Sequence, residues 1–382
     1  MGFADLVLWI SLLLLFWTFA GYPLTVVGLA RFFARPWRRE TYSGSVSMVI
    51  AAHNEEEVIR DKVENSLKLD FGPANSEILF VSDGSTDKTN NILAEFANSS
   101  ERMRTLAYQP RAGKANALNV GVAQARGEIL IFGDANVMVG EKSCQTLLSP
   151  FADPEVGAVC AHVLVRARGD QEVAGESLYM KYEAAVQRAE ALLGCMVGVD
   201  GALFAMRRNL FHPLAPEIIL DDFTLSMHAP LAGQRIVYEE EALAVEDVVP
   251  SAANEFKRKA RIVAGGYQYL ADFLKQDRRL SARMWLFFIS HKILRWQAPF
   301  LLLILLGANL FLLGDARYLL LFEGQALFYL LAGLGFLSKK LRTNYLLYLP
   351  YYFCVVNLAA LQGFFRFLAL REQALWEKVE RS

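Results

Sequence analysis

Acidic and amide side chains follow three apolar runs of this sequence, where a parallel sheet would gather them. Asn54 and Glu55 follow VSMVIAAH, Asp83 ends EILFVSD, and Asp134 and Asn136 follow EILIFG. Ligands of open parallel sheets bind at the carboxyl ends of the strands, so these side chains are predicted to line one site. Asp134 and Asn136 can both turn an oxygen toward a divalent cation such as Mg²⁺ or Mn²⁺. A plain turn is the simpler interpretation of that segment.

Further charged residues could act on the same ligand. Lys114 begins a predicted helix and could bind an anion there, unless it is a solvated surface lysine. Asp221 and Asp222 are adjacent carboxylates, and because like charges raise one pKa, the pair is a candidate general base or else a helix cap. Arg258 and Arg261 share a helical face and could bind a diphosphate, or instead face anionic lipid headgroups.

Several classes of protein are excluded by missing motifs and by composition. The first strand is not followed by GxGxxG, which excludes a dinucleotide-binding oxidoreductase. No GxxxxGK[ST] occurs, which excludes a P-loop protein. The run SDGSTDKT after the second strand could simply cap a helix. Four scattered cysteines show no spacing typical of a zinc site. With 39 basic and 40 acidic residues, no overall field favours nucleic acid as a partner.

The elements that would position these residues are strands alternating with helices between about Ser45 and Leu274. Apolar runs of strand length alternate with amphipathic stretches, for example VSMVIAA before the stretch from Glu55 to Leu69. This alternation predicts an α/β domain with a mostly parallel sheet, a Rossmann-like arrangement.

Long apolar runs flank that region and predict membrane helices. The uncharged run from Leu6 to Ala30 exceeds the roughly 20 residues that cross a bilayer core, and we interpret it as a retained anchor and not a signal peptide. Three more candidate spans are Trp296 to Gly314, Tyr318 to Ser338 and Thr343 to Phe365. The last of them could alternatively be re-entrant.

Basic residues predict which side of the membrane the middle region occupies. Arg31, Arg35, Arg38 and Arg39 follow the first span, and Lys339 and Lys340 follow the third. By the positive-inside rule the middle region is cytoplasmic, at the inner (plasma) membrane of the cell.

The chain is accordingly divided into three parts. Residues 1–40 are predicted to be an N-terminal anchor and 41–275 a cytoplasmic domain. Residues 276–382 are predicted to hold an interfacial helix and about three spans. The amphipathic segment Arg279 to Trp296 suits a helix in the interface, or it begins the next span.

Together these motifs resemble glycosyltransferase family 2, the inverting enzymes of GT-A fold that include cellulose, chitin and hyaluronan synthases. The resemblance covers Ser45 to about Gly266. It implies that Asn54 and Glu55, in VSMVIAAHNEEE, lie beside the nucleotide, and that Asp83 contacts its base or ribose. In RAGKANALN, it implies that Lys114 and Asn119 support the donor site.

The later motifs depart from the family pattern in two places. GDAN stands where the family has DXD, so Asp134 matches the first aspartate and Asn136 replaces the second, which is usually a metal ligand. In RKARI, Arg258 and Arg261 stand where processive members have QxxRW, and the tryptophan is absent.

The remaining motifs imply the acceptor and catalytic residues. GVDGALFAMRR is similar to the segment before the acceptor site, so Asp200 and Gly201 are predicted to line it. LDDF resembles the family's E-D pair, with Asp222 as the catalytic base and Asp221 beside it.

The resemblance implies an inverting transfer of a sugar from a nucleotide diphosphate sugar to a hydroxyl, with a divalent cation at Asp134 and Asn136. The acceptor is a glycan or a lipid-linked sugar, and membrane lipids surround the anchor. Three alternatives stay open: a processive polysaccharide synthase with translocation, a non-catalytic nucleotide-sugar sensor, and a nucleotidyltransferase.

Overall fold

The structure is a computed structural model that describes residues 2–98, 100–167, 174–248, 252–276, 279–338, 342 and 344–369. Lys339, Lys340 and the tail from 370 lie outside the described residues.

Eight strands form one sheet in the middle of the chain. They are β1 (Ser45–Ala52), β2 (Asn75–Asp83), β3 (Met103–Tyr108), β4 (Ile129–Gly133), β5 (Val137–Val139), β6 (Val156–Ala167), β7 (Leu203–Arg207) and β8 (Arg235–Val248). Their order is β3-β2-β1-β4-β7-β6-β8-β5. The pairs β3–β2, β2–β1, β1–β4 and β6–β8 are parallel, while β7 is antiparallel to both its neighbours and β5 is antiparallel to β8. The predicted mostly parallel α/β sheet is confirmed, with one antiparallel strand inside it.

Helices cover both faces of this sheet. They are α3 (Ile59–Leu67), α4 (Thr89–Ala97), α5 (Lys114–Gln124), α6 (Ser143–Leu148), α7 (Ala174–Leu192), α8 (Asp221–Leu231) and α9 (Ala252–Lys275). Strand β1 is buried from its second residue to its last because helices pack on both sides. Two apolar cores result, one on each face of the sheet.

Four helical stretches are long and apolar enough to cross a membrane, as the sequence predicts. The helices are α1 (Phe3–Phe16), α2 (Tyr22–Phe33), α10 (Ala282–Phe288), α11 (Leu294–Leu310), α12 (Ala316–Leu337) and α13 (Tyr345–Leu368). They give the candidate spans Phe3–Phe33, Ala282–Leu310, Ala316–Leu337 and Tyr345–Leu368. Many of their large apolar side chains are exposed, as for helices that face lipid.

Two of these spans contain a π-helical turn. The turn Trp17–Gly21 joins α1 to α2, and Ile289–Ile293 joins α10 to α11. The two turns touch, since Trp17 Nε1 donates a hydrogen bond to Ser290 Oγ over 3.1 Å.

The segment Arg279 to Trp296 contains the start of a longer helical stretch. Helix runs without a break from Ala282 through Trp296 to Leu310, and this stretch is the second candidate span. Its predicted location in the membrane interface stays a prediction. The amphipathic helix before the membrane is α9, whose register leaves Ala260 and Ala264 buried and Lys257 and Arg261 exposed.

The last span is one uninterrupted helix that packs closely on α9. A Cβ placed on Gly363 would lie 2.5 Å from the carbonyl oxygen of Ala260 and 2.9 Å from the Cβ of Val263. Glycine at 363 is therefore what permits the two helices to approach this closely.

A group of charged side chains, here called the junction cluster, connects α7 to the first two spans. Its members are Tyr22, Glu183, Glu190, His291, Lys292 and Arg295. Glu183 lies 2.6 Å from Arg295 Nη1 and 3.2 Å from Lys292 Nζ. Glu190 lies 2.7 Å from His291 Nδ1 and accepts a hydrogen bond from the Tyr22 hydroxyl. Burial alone would raise the pKa of Glu183, but Arg295 and Lys292 outweigh it and hold the pKa well below its usual range.

Candidate active site

Lys114 lies at the centre of the acidic residues that the sequence singles out. It is the first residue of α5 and follows Gly113, whose φ of +93° is a conformation that favours glycine. Its Nζ lies 2.9 Å from Asp134 Oδ1 and 3.0 Å from Asp221 Oδ2. Burial alone would lower the pKa of Lys114, but Asp134, Asp221 and Asp222 outweigh it and raise the pKa. Lys114 thus joins the end of β4 to the start of α8.

Asp222 lies in the same cluster, next to the segment that contains Asp200 and Gly201. A Cβ on Gly201 would lie 2.5 Å from Asp222 Oδ2, so the carboxylate uses the space that this glycine leaves. Burial, and then the neighbouring charge of Asp221, raise the pKa of Asp222 to about 7, while Lys114 opposes them. Asp200 also raises this pKa. The predicted base and the predicted acceptor residues are therefore neighbours.

Asp83 supports the loop that precedes Lys114. Its side chain is fully buried, and it accepts hydrogen bonds from Ala112 N at 2.6 Å, Gly113 N at 2.8 Å and the Tyr108 hydroxyl at 2.9 Å. These bonds connect the end of β2 to the start of α5 and orient Lys114. The predicted contact of Asp83 with a base or ribose stays a prediction.

Asn54 and Glu55 connect the end of β1 to the segment before α4. Asn54 has a φ of +53°, and its Oδ1 accepts a hydrogen bond from Thr86 N over 2.8 Å. The backbone N–H of Glu55 donates to Thr89 Oγ1 over 2.9 Å, and its side chain is buried. The motif SDGSTDKT thus meets the end of β1 in addition to opening a helix.

Asn136 faces a carboxylate that the sequence analysis did not find. Its Nδ2 lies 3.5 Å from Oε1 of Glu246 on β8. Burial, followed by the charges of Asp200 and Asp134, raises the pKa of Glu246 to about 7, and Arg258 opposes this. The register Val137↔Glu246 between β5 and β8 brings Glu246 here, and no local motif signals a pairing between such distant segments.

Lys62 on α3 is a second residue that the sequence analysis missed. It is fully buried and donates a hydrogen bond from Nζ to the carbonyl oxygen of Val137 over 2.6 Å. Burial lowers its pKa to about 8, although Asp134 opposes the shift. Lys62 therefore fixes the backbone that follows Asp134 and Asn136.

Three predicted residues make contacts of other kinds. Asn119 exchanges hydrogen bonds of 2.8 Å with the backbone of Leu214 in both directions, so it holds the segment after β7. Arg258 Nε donates to Glu255 Oε2 over 2.9 Å and also acts on Glu246. Arg261 is exposed one turn further along α9.

The site combines excess negative charge with few protein ligands for a metal. The charges of Asp134, Asp221 and Asp222 act on Lys114, those of Asp221 and Asp200 act on Asp222, and those of Asp200 and Asp134 act on Glu246. Within the described residues, no three His, Cys, Asp or Glu side chains are grouped so that they could hold a metal ion. This donor set fits a Mg²⁺ or Mn²⁺ ion that takes one carboxylate from the protein and other oxygens from phosphates.

The fold defines the class of protein: a GT-A α/β domain joined to four helices able to cross a membrane. Residues 47–213 match the model of Glycosyl transferase family 2.

Curated relatives include poly-β-1,6-N-acetyl-D-glucosamine synthases. That of Staphylococcus epidermidis is 25% identical over 232 residues, which are 59% of this chain and 55% of the relative. That of Staphylococcus aureus (strain COL) is 26% identical over the same shares. The chain thus spans about half the length of the curated relatives that it matches.

One solved structure is similar over nearly the whole chain. The mannosyltransferase PcManGT from Pyrobaculum calidifontis, in complex with GDP-Man and Mn²⁺, has a TM-score of 0.73 and is 21% identical. The match covers 96% of this chain and 100% of the other. At this identity the similarity shows the fold.

Proposed function

We propose that this protein transfers a sugar, with inversion, from a nucleotide diphosphate sugar to a hydroxyl acceptor at the cytoplasmic face of the membrane. The observation that carries the proposal is the position of Lys114 between Asp134 and Asp221, with Asp222 beside them. Acidic residues from distant segments meet there around the ammonium of Lys114, at the carboxyl end of β4.

In this mechanism Asp222 is the general base. Its pKa of about 7 is suited to taking a proton at neutral pH. The acceptor oxygen forms a bond to the anomeric carbon as its proton passes to the Asp222 carboxylate. The bond from that carbon to the phosphate oxygen breaks, and the nucleoside diphosphate leaves with the electron pair. One displacement inverts the configuration.

Lys114 and Asp134 act on the leaving group. The ammonium of Lys114 is already in place to receive negative charge that develops on the diphosphate, so it costs little reorganisation. A divalent cation on Asp134 would add charge stabilisation when bound, with Asn136 and Glu246 next to it. Asp200 and Gly201 line the acceptor side, and Arg258 and Arg261 lie on the helix that we propose closes the donor side.

The three-part division belongs to the same proposal: an anchor over 1–40, a catalytic domain over 41–275 and further spans over 276–382. Arg35, Arg38 and Arg39 directly after the first span support a cytoplasmic location of the domain.

The proposal is tested with purified full-length protein in detergent and a panel of nucleotide sugars that includes a UDP-N-acetylglucosamine donor, the sugar named in the curated relatives. Free nucleoside diphosphate is the readout, and Mn²⁺, Mg²⁺ and EDTA are compared. Release of nucleoside diphosphate that requires an acceptor supports transfer. Pyrophosphate as the product would identify a nucleotidyltransferase, and binding without any release would identify a sensor. Product length distinguishes a single addition from processive synthesis.

A further inference from the structure

A cleft of about 730 Å³ opens beside the first span, away from the acidic centre. It lies between the end of α2, the helix α7 and the strands β6 and β8. One wall is apolar and made mostly of small side chains, among them Ala30, Ala184, Ala185 and Ala189. Small side chains leave room for a slender hydrocarbon chain along α7.

Basic side chains line the same cleft. They are Arg31, Lys181 and Arg188. Arg188 is paired with Glu240 over 2.7 Å. Arg31 and Lys181 are exposed, and no carboxylate in the described part of the chain lies within ion-pair distance of either. The cleft therefore offers two cations next to an apolar wall, which complements an anionic head group that carries a hydrocarbon tail.

The cleft begins beside the last turn of the first candidate span. Arg31 is in the last turn of α2, within the candidate span Phe3–Phe33. The next residues, Phe32 and Phe33, are 82% and 64% exposed, as for side chains that enter lipid. The head group of a lipid could thus enter the cleft while its tail stays in the bilayer.

The inner end of the cleft approaches the acceptor side of the candidate active site. His162 Nδ1 lies 2.5 Å from the Tyr238 hydroxyl, and both residues line the cleft. Two residues before His162 on β6, Cys160 Sγ accepts a hydrogen bond from the backbone N–H of Asp200 over 3.3 Å. Residues two apart on a strand point to the same face, and Cys160 and Tyr238 belong to one apolar core, so the cleft and the segment that contains Asp200 lie on the same face of the sheet.

We propose that this cleft binds a phosphate-headed membrane lipid that carries the acceptor, with Arg31 and Lys181 binding the phosphate and the alanine wall of α7 holding the first carbons of the tail. The proposal rests on the proposed function for the role of Asp200 and Asp222. It assigns the acceptor to a class, the lipid-linked sugars, in place of a free glycan.

Binding is tested with the full chain in phosphatidylcholine nanodiscs that contain either a polyprenyl phosphate or phosphatidylglycerol, with retained lipid counted by native mass spectrometry. The wild type should retain more polyprenyl phosphate than phosphatidylglycerol. The double change Arg31→Glu and Lys181→Glu should weaken retention about tenfold or more, because two charge-assisted contacts are lost. Ala185→Phe, which fills the cleft without changing charge, should have the same effect. Lys142→Glu reverses another exposed charge that does not line the cleft and should change nothing.

Retention of the polyprenyl phosphate that depends on Arg31, Lys181 and Ala185 supports the proposal. Equal or stronger retention of phosphatidylglycerol would overturn it, because that lipid carries no acceptor. Equal retention by the wild type and all variants would overturn the proposal. Competition by inorganic phosphate at the same concentration as the lipid would also overturn it, because the tail would then contribute nothing.

A kinetic experiment separates this inference from the proposed function. With a polyprenyl-linked sugar as acceptor, the double variant should raise the acceptor KM about tenfold while the donor KM and donor hydrolysis stay unchanged. Transfer to a free oligosaccharide with an unchanged KM for the lipid acceptor would reject the lipid site and leave the glycosyltransferase intact. Failure of the wild type to release nucleoside diphosphate with either acceptor would instead reject the proposed function.

Discussion

Two buried charged groups in this molecule differ in how their charges balance. In the junction cluster, Glu183 meets both Arg295 and Lys292, and the pKa of Glu183 is held far below its usual range. In the candidate active site, carboxylates outnumber cations, and the pKa values of Asp222 and Glu246 both rise to about 7. A balanced group holds its charges fixed and stabilises the fold. An unbalanced group is left with carboxylates that can exchange protons or bind a cation.

The largest expected effect follows from removing Asp222, the proposed base of the unbalanced group. Asp222→Asn should lower kcat by roughly 10²- to 10⁴-fold, the contribution typical of a positioned base. Donor binding should change little, since Lys114 and Asp134 are retained. Turnover by pre-steady-state and steady-state release of nucleoside diphosphate, with donor affinity by calorimetry, measures both. An unchanged kcat would remove Asp222 from the mechanism.

The balanced group should show the opposite result, a loss of stability without a loss of chemistry. Glu183→Gln leaves Arg295 and Lys292 without their carboxylate, and breaking a buried ion pair costs about 3–5 kcal/mol. The midpoint of thermal unfolding in detergent should fall, while kcat per folded molecule stays the same.

Glu40→Gln is the matched control for this change. It breaks the pair of Glu40 with Arg38 over 2.7 Å, but both side chains are more than half exposed, so no measurable change in the midpoint is expected. Equal shifts for the two variants would mean that burial of the junction cluster contributes nothing.

The pH dependence of turnover sharpens the comparison further. Asp222 must be ionised to accept a proton, and its pKa is raised to about 7, so kcat should fall as the pH drops below about 7, by roughly tenfold per unit. Asp221→Asn removes the neighbouring charge that helps to raise this pKa, so the fall in kcat should begin at a lower pH. A shift of the acidic limb in the other direction would contradict the assigned cause.

The smallest expected effect concerns the space around Asp222. Gly201→Ala places a Cβ 2.5 Å from Asp222 Oδ2, so the carboxylate must move, and kcat should fall about tenfold from misplacement of the base. Gly307→Ala on α11 is the control, because its Cβ meets nothing within 4 Å. Equal activity of both variants would show that the carboxylate tolerates a shift of this size.

The sequence predicts the elements of this fold well because local patterns determine them. Apolar runs bounded by polar turns predict β1, β2 and β4, and the acidic residues at their ends do come to one edge of the sheet. The four candidate spans follow from length and apolarity alone. Of the acidic cluster, the sequence predicts those members that directly follow a predicted strand.

What the sequence does not predict depends on which distant segments meet. Glu246 reaches Asn136 only because β5 pairs with β8, and neither strand carries a motif. Lys62 looks like an ordinary helix residue until its side chain is found beneath Val137. The junction cluster needs α7 to pack against two spans at once. Such contacts depend on sheet order and helix packing, and local sequence patterns do not predict them.

The paired π-helical turns Trp17–Gly21 and Ile289–Ile293 change the direction in which the side chains beyond them point. A π turn holds one residue more than an α turn, so everything beyond it is rotated by about 100° relative to a continuous α-helix. Tyr22, directly after the first turn, donates a hydrogen bond to Glu190, and His291, inside the second turn, lies 2.7 Å from the same carboxylate. On the other side of the first turn, Asp5 accepts a hydrogen bond from the Tyr318 hydroxyl over 2.6 Å. Deletion of Thr18 would remove the extra residue, so Tyr22 and Asp5 could not both keep their partners Glu190 and Tyr318. The extra residue therefore lets one span contact both the α/β domain and the outer helix α12.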